Sequence, residues 1–131
     1  MSKYYTYTDR VYASKECLLA ALNDLGYETV EEGDALPLYG YRGDRRAEMA
    51  QLVVRRQYVG AASNDLGFAR TEKGYVPIIS EYDVRTLRGG QFLRDLGLAY
   101  GEAVARELAR RVRGSVHRTV QGSVVKLVVR Y

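Results

Sequence analysis

Residues 91–114 read QFLRDLGLAYGEAVARELARRVRG and run into SVHRTVQGSVVKLVVRY at 115–131. Leu93, Leu96, Tyr100, Val104, Leu108 and Val112 recur three or four residues apart, which predicts one apolar stripe along a long amphipathic helix. Arg106, Arg110 and Arg113 repeat at the same spacing on another face. Gly114 ends the helix, and Ser115–Gln121 and Val124–Arg130, turned at Gly122-Ser123, read as a tight β-hairpin rich in Val and Leu. A helix with one apolar side needs a sheet to lie on, so the chain before it is read for strands.

Tyr4–Tyr12 has strand composition. Ser14 then offers a hydroxyl to an orphan helix amide, and Leu18, Ala21, Leu22 and Leu25 fall at helical spacing up to a stop at Gly26. Tyr27–Val30 reads as a short strand and Glu31–Asp34 as an acidic turn. Ala35–Arg42 and Ala47–Tyr58 read as strands joined at Gly43-Asp44, and Leu66–Thr71 and Tyr75–Tyr82 as a hairpin around Lys73-Gly74. Pro77 cannot donate to a ladder, so its strand is expected at an edge or bulge. Asp83–Gly90 is a polar connection. The predicted fold is α+β: an antiparallel sheet with two helices on one face, in the order β-α-β-β-β-β-β-α-β-β.

The chain has 131 residues, the size of a single domain over 1–131. Cys17 is the only cysteine, which rules out an intrachain disulfide and suits a reducing compartment. The opening residues lack an apolar leader segment, and no run is long enough for a membrane helix. A cytoplasmic protein with no membrane partner is expected. Residues 1–40 carry three basic and seven acidic side chains, against 17 and 9 over residues 41–131. Such asymmetry favours an acidic or polyanionic partner for the basic part. Arg outnumbers Lys sixteen to four and Tyr occurs twelve times; both residue types build interfaces.

Several pieces together resemble an uncharacterised family, the hypothetical chloroplast reading frame thirty-five family of cyanobacteria, plastids and other prokaryotes. They are Met1-Ser2-Lys3-Tyr4, Leu22-Asn23-Asp24-Leu25-Gly26-Tyr27, Gly40-Tyr41-Arg42-Gly43, Asn64-Asp65-Leu66-Gly67-Phe68 with Gly74-Tyr75, and Phe92-Leu93 before a Val-rich last strand. They span nearly the whole chain in order. The resemblance implies a small soluble protein without an established activity, with an accessory role beside ATPase-type or ferredoxin-like partners. Where the family often carries a Trp pair, this chain has Glu81-Tyr82-Asp83, so no role is carried over from that pair.

Chemistry is sparse. His117 and Cys17 are single, too few for a structural zinc site, and neither has a catalytic neighbour in sequence. There is no Walker-type loop and no dinucleotide fingerprint. No catalytic residue, metal or cofactor is expected. Asp65, Glu81 and Asp83 are the carboxylates an acid–base enzyme would use, with Glu81 and Asp83 on one strand face by alternation. A solvated strand end and a turn cap explain them more simply. Binding remains. Arg42, Arg45 and Arg46 beside Tyr39 and Tyr41, together with Arg106, Arg110 and Arg113, suit phosphate contacts and base stacking on RNA or a ribonucleoprotein particle. The alternative is a protein–protein adaptor or accessory subunit, in which the same arginines meet an acidic partner or an identical subunit. The plainest account is Arg placed for the helix dipole and in i,i+4 pairs with Glu102 and Glu107.

Overall fold

The computed structural model describes residues 2–112 and the backbone of two strands at 115–121 and 124–130. Seven strands and three helices follow one another as β1 (Tyr4–Thr6), α1 (Lys15–Asp24), β2 (Glu31–Tyr39), β3 (Arg45–Val54), β4 (Leu66–Thr71), β5 (Gly74–Ser80), α2 (Glu81–Thr86), α3 (Phe92–Arg111), β6 (Ser115–Gln121) and β7 (Val124–Arg130). The first five strands form one antiparallel sheet in the order β1-β5-β4-β3-β2, and among the described residues β6 and β7 pair only with each other. The class is α+β, as the alternation and periodicity predict.

The ends of α1 follow from its sequence. Ser14 caps it, accepting from the Cys17 amide at 3.2 Å. Gly26, at φ +97°, lets the chain reverse so that the Gly26 and Tyr27 amides return to Asn23 and Leu22 carbonyls, satisfying groups the helix end would leave open. Leu18, Ala21 and Leu22 then pack with Leu52, Val54, Leu66, Phe68 and Ile79 of the sheet and with Phe92, Leu93 and Leu96 of α3 in one core. A smaller cluster of Tyr4, Leu38, Ala50, Val53 and Ile78 covers the other face. Alternate residues of β4 and β5 therefore serve opposite layers, the period-two logic of a strand.

Four expectations are corrected. Among the described residues there are three helices, not two: Glu81–Thr86 is helical because Ser80, expected within a strand, caps it by accepting from the Asp83 amide at 3.1 Å. Only four strands separate α1 from α2, because Tyr27–Val30 is irregular and the acidic segment Glu31–Asp34 is the start of edge strand β2. Its charges are tied outward, Glu31 to Arg55 and Glu32 to Lys15. The opening strand stops at Thr6. Pro77 lies in an inner strand, but beside the point where β1 has ended. Its carbonyl accepts from the Tyr7 amide, while the Tyr7 carbonyl, which Pro77 cannot serve, accepts from the Arg10 amide at 3.2 Å. Arg113 and the Gly122-Ser123 turn lie outside the described residues.

Tyr12 joins the layers. Its ring meets Tyr100 of α3 at 5.1 Å and Phe68 of β4 at 6.2 Å, edge to face. Its hydroxyl is buried without a hydrogen-bond partner. Burial therefore pushes the phenol up to about 12. The folded chain holds that proton after the unfolded chain has lost its own. Stability is thus full below pH 10 and falls by about 1.4 kcal/mol per pH unit up to pH 12 from this group. Tyr12→Phe removes an unsatisfied hydroxyl. It is expected to leave stability at neutral pH unchanged or raised by up to about 1 kcal/mol, and to flatten the alkaline loss. Denaturant unfolding of both chains at neutral and strongly alkaline pH tests this; parallel pH curves would contradict it.

Candidate functional site

The arginines and tyrosines picked out in the sequence fall into two separate places. Tyr39, Tyr41, Arg42, Arg45 and Arg46 lie at the β2–β3 turn, whose Gly43 has φ +77°. Arg46 is bound down: it donates to the Ser2 carbonyl at 2.7 Å and stacks on Tyr4 at 5.2 Å, on the sheet face away from the large helices. Arg42 stacks on Tyr41 and donates to its hydroxyl at 2.9 Å. Arg45 is exposed. The Tyr39 ring is covered by Arg55, 5.7 Å from its centroid.

Arg106 and Arg110 lie across the sheet on α3, and both meet carboxylates of their own chain. Arg106 reaches Glu102 at 3.0 Å and Asp24 at 3.7 Å, and Arg110 contacts Glu107, which also holds Arg111 at 3.3 Å. Arg106, Arg110 and Arg111 therefore all meet acidic side chains of α3 itself or of α1. The two groups do not make one basic face.

Between them the sequence hides a polar hub. Asn64 and Asp65 each retain 1% of their exposure. Asp65 accepts from the Tyr39 amide at 2.8 Å, the Arg56 amide at 2.7 Å and Arg55 Nη1 at 2.8 Å. Arg55 also donates to Glu31 and to the Pro37 carbonyl. Burial disfavours the Arg55 charge, but its hydrogen bonds to Glu31 and Asp65 outweigh this and hold the guanidinium more firmly ionised. Tyr4 donates to the Asp65 carbonyl at 2.7 Å, and burial first, then the Asp65 charge, pushes its phenol far up. Asn64 accepts from the Tyr41 amide at 2.9 Å and donates to Ser80 and Asp83. Asp83 is fully buried, whereas Glu81 is exposed. The expected shared strand face is replaced by the first turn of a helix, where residues two apart point different ways. Sequence reasoning took Asn64-Asp65 as a turn cap, and it missed Arg55 and Ser80. A short polar pair directly before the apolar strand Leu66–Phe68 was the available signal.

The predicted stripe of α3 is the second surprise. Phe92, Leu93, Leu96, Ala99, Ala103 and Ala109 are buried, but Val104, Leu108 and Val112 remain 41%, 46% and 40% exposed. The small Ala99 and Ala103 are the buried residues of the middle turns, which lets α3 approach α1 closely. The larger aliphatics are turned outward. Beside them runs an apolar groove of about 350 Å³ walled by Ala13, Cys17, Tyr100, Val104 and Leu108. The β6–β7 pair rests against α3 and, among the described residues, joins no other strand. No helix among the described residues is long and apolar enough to cross a membrane.

The chain matches no curated protein and no solved structure. Residues 21–125 match the family described as Protein of unknown function (DUF1257), a stretch that runs from the middle of α1 through α3 into β7. An uncharacterised family is what the sequence resemblance implied, and on this match the chain belongs to the DUF1257 family of proteins of unknown function.

Proposed function

We propose that this chain is a non-enzymatic adaptor or accessory subunit that binds protein through the C-terminal half of α3, and that the protein seated there is a second copy of itself. The observation that carries this is the exposed row of Val104, Leu108 and Val112, spaced four apart beside an apolar groove. Covering what remains exposed of each half-buried Val or Leu is worth roughly 1 kcal/mol, so a row of three favours association. A projecting row and a groove on one helix face are the halves of a two-fold contact, in which each patch must complement itself. The charges agree. Arg106, Arg110 and Arg111 are met by Glu102, Glu107 and Asp24, a mixed-sign pattern that draws a polyanion weakly and can match its own inverse. A lone two-stranded hairpin is marginally stable in water, and β6–β7 lies beside this surface. On this reading the protein acts in the cytoplasm, where the lone Cys17 stays reduced.

Light scattering across a concentration series tests the proposal. The chain is expected to show a dimer mass at low and high salt alike. Leu108→Asp should raise the dissociation constant by at least about ten-fold while leaving the circular dichroism spectrum unchanged. A monomer at every concentration would overturn the reading. So would a mass gained only with RNA and lost in high salt, which is the behaviour of phosphate contacts.

A further inference from the structure

A cleft of about 460 Å³ opens between the β2–β3 turn and α2, bordered by Ser2, Tyr41, Asn64, Glu81, Tyr82 and Arg85. Its size is within the range of small-molecule sites, and it is remote from the α3 row described above. Its walls are half-buried aromatic rings: Tyr41 from the turn, backed by the stacked Arg42, and Tyr82 from the helix.

The floor is rigid. Asn64 has every polar group engaged, with Tyr41, Ser80 and Asp83, and the Tyr82 amide donates to Ser2 Oγ at 2.7 Å. Such bracing fixes the backbone positions from which the two tyrosines project.

The charges at the mouth are the unusual part. Glu81 and Arg85 stand four apart on α2, the spacing at which Glu102 closes on Arg106 and Glu107 on Arg111. In α2 the pair stays open: both side chains are exposed, and neither has an ionic partner among the described residues. One acceptor and one forked donor are thus held apart beside two rings. A ligand that answers all of this has a flat aromatic body, an N–H group for Glu81 and an anionic group for the Arg85 fork.

We propose that the Tyr41–Tyr82 cleft is a binding site for a nucleoside monophosphate, its base against the two tyrosines, an exocyclic N–H on Glu81 and its phosphate on Arg85. Stacking on Tyr supplies affinity with little dependence on which base is present. The guanidinium supplies the preference for a phosphorylated ligand over the free nucleoside. This site is independent of the adaptor reading, since none of its residues lies on α3.

Titration calorimetry and saturation-transfer NMR with adenosine monophosphate, adenosine and inorganic phosphate test it. Adenosine monophosphate is expected to bind, adenosine more weakly and phosphate alone without detectable heat. Arg85→Gln, an exposed change, should weaken adenosine monophosphate by about ten-fold or more and leave adenosine unchanged. Tyr82→Leu should weaken adenosine monophosphate and adenosine alike. Three outcomes would overturn the assignment: no saturation transfer from adenosine monophosphate, equal binding by the Arg85→Gln chain, or phosphate alone binding as tightly.

Discussion

Asp65→Ala should destabilise the fold by about 3–5 kcal/mol, the range for breaking a buried ion pair from one side. The carboxylate is 1% exposed and joins two other segments: the end of β2 through the Tyr39 amide, and the turn after β3 through both the Arg56 amide and the Arg55 guanidinium. Removing it leaves two backbone donors without an acceptor, each costing about 1–3 kcal/mol if water cannot enter. It also removes one of the two carboxylates that steady a guanidinium only 17% exposed. Arg55 keeps Glu31 and the Pro37 carbonyl, which holds the loss below the sum of the parts. Asp65→Asn should cost less, since its amide oxygen still accepts from one of the two backbone amides. Denaturant unfolding of the two variants is the measurement. If the Asp65→Ala midpoint stayed within error of the parent, the hub would be incidental to the fold.

Gly74→Ala is expected to cost about 3 kcal/mol or more, by two separate routes. Gly74 sits at φ +141°, and an added Cβ would lie 2.6 Å from the Tyr12 carbonyl oxygen and 2.7 Å from the Ala13 Cα. Those are backbone atoms, which cannot swing aside as a flexible side chain would. Overpacking of this kind costs about 1–3 kcal/mol, and a backbone conformation that L side chains rarely adopt adds about 1–3 kcal/mol. The displaced atoms belong to the reciprocal pair in which the Tyr12 and Tyr75 amides bond each other's carbonyls at 2.8 and 2.9 Å. That pair anchors the segment leading into α1. Gly26→Ala is the control, because Gly26 also has positive φ but open space around it; it should lose only about 1 kcal/mol. Equal losses at both positions would mean that φ alone, and not contact with Tyr12 and Ala13, sets the cost.

Local rules carried the sequence reading where neighbours along the chain decide the outcome. Ser14 and Gly26 bound α1, β4 turns into β5 at Glu72-Lys73, one residue from the turn expected at Lys73-Gly74, and the periodicity of residues 92–111 makes α3. The same rules failed where distant segments decide. Glu31–Asp34 looks like a turn by composition, yet it is a strand because β3 lies alongside it and Arg55 and Lys15 take its charges. Glu81–Asp83 alternates like a strand end, yet Ser80 caps a helix there, braced by Asn64 from sixteen residues back. Among the candidate binding residues, composition picked Arg106 and Arg110 for their charge, and could not show that Glu102, Glu107 and Asp24 meet them.

The sequence by itself determined the α+β class, the bounds of α1, β4, β6 and β7, and the existence of a long helix with an aliphatic row. Those follow from interactions spanning a few residues, so they are written wherever the residues are. Only the tertiary structure decided which part of that row is covered. Sheet and α1 bury Phe92, Leu96, Ala99 and Ala103, while Val104, Leu108 and Val112 stay at the surface. Periodicity fixes that apolar side chains share a direction along a helix; whether anything lies in that direction depends on packing between segments far apart in the chain.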